Sequence, residues 1–95
     1  MDNRSTMLAA MIDAAVKNLK GVKTQKEIAA EAGYKSANII AMMKSGDAKV
    51  ALDRIPALSK VLRINEKAAY IACLYQFHDP EFVDHMVGVL AGGKK

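Results

Sequence analysis

Apolar residues recur every three or four positions along nearly the whole chain, and this spacing divides it into a series of short amphipathic stretches. Leu8, Met11, Ile12, Ala15, Val16 and Leu19 form one stripe, with Asp13, Lys17, Asn18 and Lys20 opposite. The pattern predicts a first helix capped by Ser5 or Thr6 after a frayed lead-in over residues 1–5, and stopped near Lys20 by Gly21. Thr24 with Glu27 three residues on has the form of a capping box, in which each side chain satisfies the other's free amide. A second helix therefore runs from there to about Ala32, with Ile28, Ala29 and Ala32 inward. Gly33 suits a left-handed turn that a Cβ would resist, and Tyr34 packs behind it. Ser36 starts a third helix that ends near Lys44-Ser45-Gly46, with Ile39 and Met42 as its inward positions.

Residues 47–51 are polar or small and read as a loop. A fourth helix over about residues 53–62 has Pro56 early, where a missing amide proton is best tolerated, and buries Ile55, Leu58, Val61 and Leu62. Asn65 caps a fifth helix from Glu66 to about Phe77, whose stripe is Ala69, Tyr70, Cys73, Leu74 and Phe77. Asp79-Pro80 stops that helix and starts a sixth, because Pro at the first helical position after an Asp cap is a strong start signal. The sixth carries Phe82, Val83, Met86, Val87, Val89 and Leu90 and ends at Gly92-Gly93. No stretch alternates with period two long enough for a strand, so the expected fold is all-α with five or six short helices.

Composition narrows the class. A chain of 95 residues that is 52% apolar and 25% charged has the make-up of one modest globular domain. Its apolar runs are too short to span a bilayer, and the MDNRSTM start carries an acid early with no signal-type apolar core, which points to the cytoplasm. The one cysteine, Cys73, excludes an internal disulfide and reads as a small buried residue. The net charge of +4 suits a polyanionic partner, and its distribution adds to that. Lys17, Lys20, Lys23, Lys26, Lys35, Lys44, Lys49, Arg54, Lys60 and Arg63 all fall in the first two-thirds. Residues 65–90 set Lys67 against Glu66, Asp79, Glu81 and Asp84. A basic front and a non-basic back suggest a binding face and a separate structural or oligomerising part.

Residues 24–46, two short helices about a glycine turn, have the layout of a helix-turn-helix unit, whose second helix can enter a DNA major groove. Gln25, Ile28, Ala29, Ala32, Gly33, Tyr34, Ile39 and Met42 resemble the pattern of the lambda-repressor-like (XRE/Cro-type) helix-turn-helix family. The resemblance continues through KSGDAKVALDRIPALSKVLRI and covers about residues 8–64. It implies a helix-turn-helix DNA-binding domain over residues 1–64, with residues 65–95 as a C-terminal helical extension packed on the same domain. The function it implies is sequence-directed binding of double-stranded DNA by a small, repressor-like transcriptional regulator of a bacterium or phage, acting as a homodimer in the cytoplasm or nucleoid. Carried over by position, Gln25 would hold a backbone phosphate. Lys35, Ser36, Ala37, Ile40, Ala41 and Lys44 would face the groove, Asn38 would reach a base or phosphate, and Lys44, Ser45 and Lys49 would add phosphate contacts.

The residues themselves temper this picture. A base-reading helix normally offers Arg, Gln, Asn or Lys, whereas this one offers Ala37, Ile40 and Ala41, which leaves Lys35, Ser36 and Asn38 as hydrogen-bonding readers. Shape and phosphate contacts would then carry much of the recognition. The competing reading is a phage or toxin–antitoxin type adaptor on the same fold, in which Ile40 and Met43 make an apolar docking patch. His78, Asp79, Glu81, Asp84 and His85 cluster in sequence, but Asp79-Pro80 breaks the helix between the histidines, so capping and solvation explain them better than a metal. No nucleophile stands beside a base and no phosphate-binding glycine loop follows a strand, so neither an enzyme nor a cofactor or small-molecule ligand is expected. The sixth helix is apolar on more than one face, and Phe82, Met86, Val89 and Leu90 are the expected dimer contacts.

Overall fold

Side-chain caps begin the helices Gln25–Glu31, Glu66–Phe77 and Pro80–Leu90 and a left-handed glycine ends the helix Asn38–Ser45, whereas the helix Ile55–Leu62 starts without a side-chain cap and ends on Arg63 in the left-handed region, at φ 59°. The structure, a computed structural model, describes residues 4–92; the expectations for Met1, Asp2 and Asn3 and for the Gly93, Lys94 and Lys95 end lie outside them. It is all-α: α1 (Met7–Asn18), α2 (Gln25–Glu31), α3 (Asn38–Ser45), α4 (Ile55–Leu62), α5 (Glu66–Phe77) and α6 (Pro80–Leu90), with 3-10 turns at Arg4–Thr6 and Leu52–Arg54. No strand occurs among the described residues, and none of their helices is long and apolar enough to cross a membrane.

The capping chemistry accounts for most boundaries. The Thr24 hydroxyl accepts from the Glu27 amide at 3.1 Å, while the Glu27 carboxylate accepts from the Thr24 amide at 2.8 Å. A cap of this kind contributes about 1 kcal/mol. The Asn65 side chain accepts from the Ala68 amide at 2.8 Å, and the Asp79 carboxylate accepts from the Glu81 amide at 3.1 Å, with Pro80 opening α6.

α1 sits at the centre and packs against α3, α4 and α5. Leu8, Ile12, Ala15 and Leu19 meet Ile28 and Ala29 of α2, Ile55, Leu58, Val61 and Leu62 of α4, and Ala69, Ala72 and Cys73 of α5 in one core. The C-terminal helices thus share the core of the first four through α5.

Several expectations change at the level of single residues. α3 begins at Asn38 rather than Ser36, whose hydroxyl accepts from the Asn38 amide at 3.1 Å at the helix start. Ile40 and Met43 face the core at 0% and 2% exposure, whereas Met42 is 37% exposed and Ile39 only partly buried. The doublets Ile39-Ile40 and Met42-Met43 offer two stripes of equal spacing, about 100° of helix rotation apart, and packing against α1 selects the second. Ile40 therefore cannot face a DNA groove, and Ile40 with Met43 cannot make an exposed patch.

In α5 the helix is apolar on both sides, so the stripe did not identify its inner face. Ala69, Ala72, Cys73 and Tyr75 are buried, Tyr70 and Leu74 are half-buried, and Phe77 is 48% exposed. Within residues 47–51, read as a plain loop, Val50 is a core residue at 1% exposure.

Burial of Ile40 makes a direct prediction. Ile40→Ala should lower stability by about 3 kcal/mol, as for other buried aliphatic truncations, whereas Met42→Ala should change it by less than about 0.5 kcal/mol. Urea denaturation of the two variants checks this, and equal losses would contradict the assigned rotation of α3.

Candidate nucleic-acid interface

The α2–α3 pair is built on a reversal after α2. Gly33 has φ +89°, and the Tyr34 amide bonds back to the Ala29 carbonyl at 2.8 Å, closing the last turn of α2. A residue with a Cβ pays about 1–2 kcal/mol to adopt such a left-handed conformation. The Arg54 guanidinium lies over the Tyr34 ring, 5.0 Å from its centre, and so draws the start of α4 onto the turn. Burial pushes the Tyr34 phenol above its usual range, with Arg54 acting in the opposite sense.

With Ile40 and Met43 turned inward, the side of α3 facing away from the core consists of Asn38, Ala41, Met42 and Ser45, all exposed. Their spacing of three, four and seven residues is that of a single helix face. The Asn38 amide donates to the Met42 sulfur at 3.6 Å, a weak contact. The Ser45 hydroxyl lies 3.0 Å from the Met42 carbonyl and 2.9 Å from the Asp47 carboxylate and can donate to one of them at a time. Lys35 and Ser36 are exposed just ahead of this face, Ala37 and Lys44 are half-buried along its edge, and Lys49 is exposed in the loop beyond. Gln25, also half-buried, is the first residue of α2.

The structure thus brings together all the expected contact positions on α3 except Ile40, and adds Met42. The doublet spacing that allowed two rotations of α3 was the available signal for Met42. Among the described residues Lys35, Lys44 and Lys49 have no carboxylate partner, whereas Lys23 is paired with Glu31 at 2.6 Å and Lys17 with Asp13 at 3.0 Å.

The surface of α6 carries apolar side chains. Phe82, Val89 and Leu90 are exposed on α6, the last at 77%, and Val83 is the only residue of that helix that is buried. Met86 and Leu90 line an open groove of about 640 Å³ with Tyr70, Ile71 and Leu74 of α5, while Phe82 and Val89 lie outside it. α6 is held by a polar clasp that the sequence pattern did not reveal. Arg4 reaches Asp84 at 2.8 Å and lies over the Tyr75 ring at 5.1 Å, and the Tyr75 hydroxyl donates to Asp84. That bond, with burial, raises the Tyr75 phenol and keeps it a donor.

Cys73 is fully buried, burial raises its thiol, and its sulfur donates to the Val50 carbonyl at 3.2 Å, none of which suits a nucleophile. Among the described residues no three His, Cys, Asp or Glu side chains gather where they could hold a metal ion. Comparison with known proteins yields no matching family model, no similar curated protein and no similar solved structure.

Two measurements test the turn. Gly33→Ala should cost about 1–2 kcal/mol in thermal or urea unfolding, because the added Cβ meets a left-handed φ and comes within 3.1 Å of the Arg54 Nη1. Arg54→Met should raise the Tyr34 phenol further, since the guanidinium is what lowers it; an NMR titration that found it unmoved or lowered would contradict the stacked pair.

Proposed function

We propose that this chain is a small cytoplasmic regulator of transcription, repressor-like, that binds double-stranded DNA through the outer face of α3. The observation that carries the reading is the exposed Asn38–Ala41–Met42–Ser45 face bordered by Lys35, Lys44 and Lys49, cations without a carboxylate partner among the described residues. A helix about 10–12 Å wide fits the major groove of B-form DNA. Asn38 is the side chain on that face suited to bidentate pairing with adenine, while Ala41 and Met42 can touch thymine methyl groups. The lysines and Gln25 would hold phosphates on either side, so affinity would rest more on the backbone than on base edges. The resemblance of residues 8–64 to the lambda-repressor-like family supports the same assignment of α3 and of Gln25.

The reading includes a homodimer formed through α5 and α6. Phe82 and Val89 project beside the groove that Met86 and Leu90 line, so ridge and groove lie on one surface and can complement each other across a two-fold axis. The adaptor reading depended on an Ile40–Met43 patch, and both side chains are in the core.

Titration of a random-sequence duplex at increasing salt tests this reading. The logarithm of the binding constant should fall with the logarithm of salt concentration by about 0.9 for each phosphate neutralised. Gln25→Ala and Lys44→Ala should each weaken binding. Sedimentation at micromolar protein should give twice the mass of one chain. Absent or salt-insensitive binding would overturn the DNA reading, and a monomer would overturn the dimer.

A further inference from the structure

Phe77 is a large aromatic side chain left 48% exposed at the end of α5, outside the core and outside the α5–α6 groove. Its setting follows from the residue before it. The Gln76 carboxamide accepts from the Val50 amide at 2.9 Å and donates to the Val50 carbonyl at 3.1 Å. It therefore pairs with both backbone groups of Val50, as a neighbouring strand would. The Cys73 carbonyl accepts a further bond from the same side-chain nitrogen at 3.0 Å, which fixes the carboxamide on α5. The buried Val50 side chain and the Cys73 sulfur, which also reaches the Val50 carbonyl, complete the attachment.

That attachment sets the chain neighbours of the pair side by side. Lys49 precedes Val50 and Phe77 follows Gln76, and the Lys49 ammonium lies 5.4 Å from the centre of the Phe77 ring. This is the range in which an ammonium is attracted to an aromatic face. Lys49 is exposed, so an ammonium held near the ring stays open to a phosphate. A free lysine in a loop loses rotamer freedom when it grips a phosphate, and a ring that already restricts it lowers that cost.

We propose that Phe77 is a positioning residue for Lys49, a platform that Gln76 brings to the loop leaving α3 so that the ammonium is pre-oriented for a DNA phosphate. The proposal rests on the DNA-binding reading above. It links the C-terminal helices to the DNA face by a route other than dimerisation.

A double-mutant cycle on the full chain tests it, with the same random-sequence duplex as probe. Lys49→Ala should make the salt slope shallower by about one phosphate contact. Phe77→Leu should weaken binding about threefold, the size expected of an exposed cation–π contact. Phe77→Leu should have no further effect once Lys49 is Ala, and Phe77→Trp should restore wild-type affinity. In the free protein, Phe77→Leu should abolish the upfield ring-current shift of the Lys49 side-chain protons. Equal weakening with and without Lys49, or none in either background, overturns the platform while leaving DNA binding intact. A wild-type chain that shows no salt-dependent binding overturns both readings together. Because Phe77 is half-exposed, the variants should keep the wild-type melting temperature, and a matching thermal scan separates a lost platform from a lost fold.

Discussion

The Ile40 side chain has no contact with solvent, and the rotation of α3 about its axis follows from that. Ile40 and Met43 are one turn apart and both lie in the core that Leu8, Ile12 and Ala15 of α1 build. Burying an isoleucine this completely is worth about 2–3 kcal/mol, a large share of what holds so small a domain together. Turning α3 by one residue would exchange Ile40 and Met43 for Ile39 and Met42, so the observed rotation is the one that packs Ile40 and Met43 against α1. The outer face is thereby set as Asn38, Ala41, Met42 and Ser45, and its chemistry is mixed: one carboxamide, one hydroxyl and two apolar groups. The Gly33 reversal and the Ser36–Asn38 bond lie just ahead of α3.

α5 joins the two halves of the molecule because three of its sides are used. Ala69, Ala72 and Cys73 close the core, and Tyr70, Ile71 and Leu74 form one wall of the apolar groove. Gln76 reaches out to the loop after α3, and Tyr75 reaches Asp84 of α6 and stacks under Arg4. α6 is anchored by the fully buried Val83 and joined to α5 and the N-terminal turn by the Arg4–Tyr75–Asp84 clasp. α3 presents a helix face beside exposed lysines, while α5 and α6 present an apolar groove with Phe82, Val89 and Leu90 exposed on α6. The proposed pairing of DNA contact with self-association uses these as two separate surfaces.

Boundaries marked by chemistry were legible in the residues alone. The Thr24–Glu27 box, the Asn65 cap and the Asp79-Pro80 start predict α2, α5 and α6, because each rests on a local bond that tertiary packing has no reason to break. The inward side of α4 was equally plain, since Ile55, Leu58, Val61 and Leu62 have no competing stripe. Faces were harder wherever apolar residues were in excess. Ile39-Ile40 and Met42-Met43 permit two rotations of α3, and α5 carries apolar residues all round, so local spacing could not say that Tyr75 goes in and Phe77 stays out. The Val50–Gln76 pairing and the Arg4–Asp84 bridge join residues 26 and 80 positions apart, and no periodicity reports such partners. Of the positions on and around α3 expected to contact DNA, the one that burial removes, Ile40, fell within a doublet.

The proposed DNA contact through α3 requires that Met42, exposed, and not buried Met43, responds to DNA. Methyl-labelled methionine gives each a separate NMR signal, and the described methionines are spread from Met7 to Met86. On addition of duplex DNA the Met42 methyl signal should shift or broaden, while those of buried Met43 and of Met86 in the α5–α6 groove stay in place. Movement of Met86 with Met42 unchanged would contradict the assignment of α3 as the DNA-contacting element.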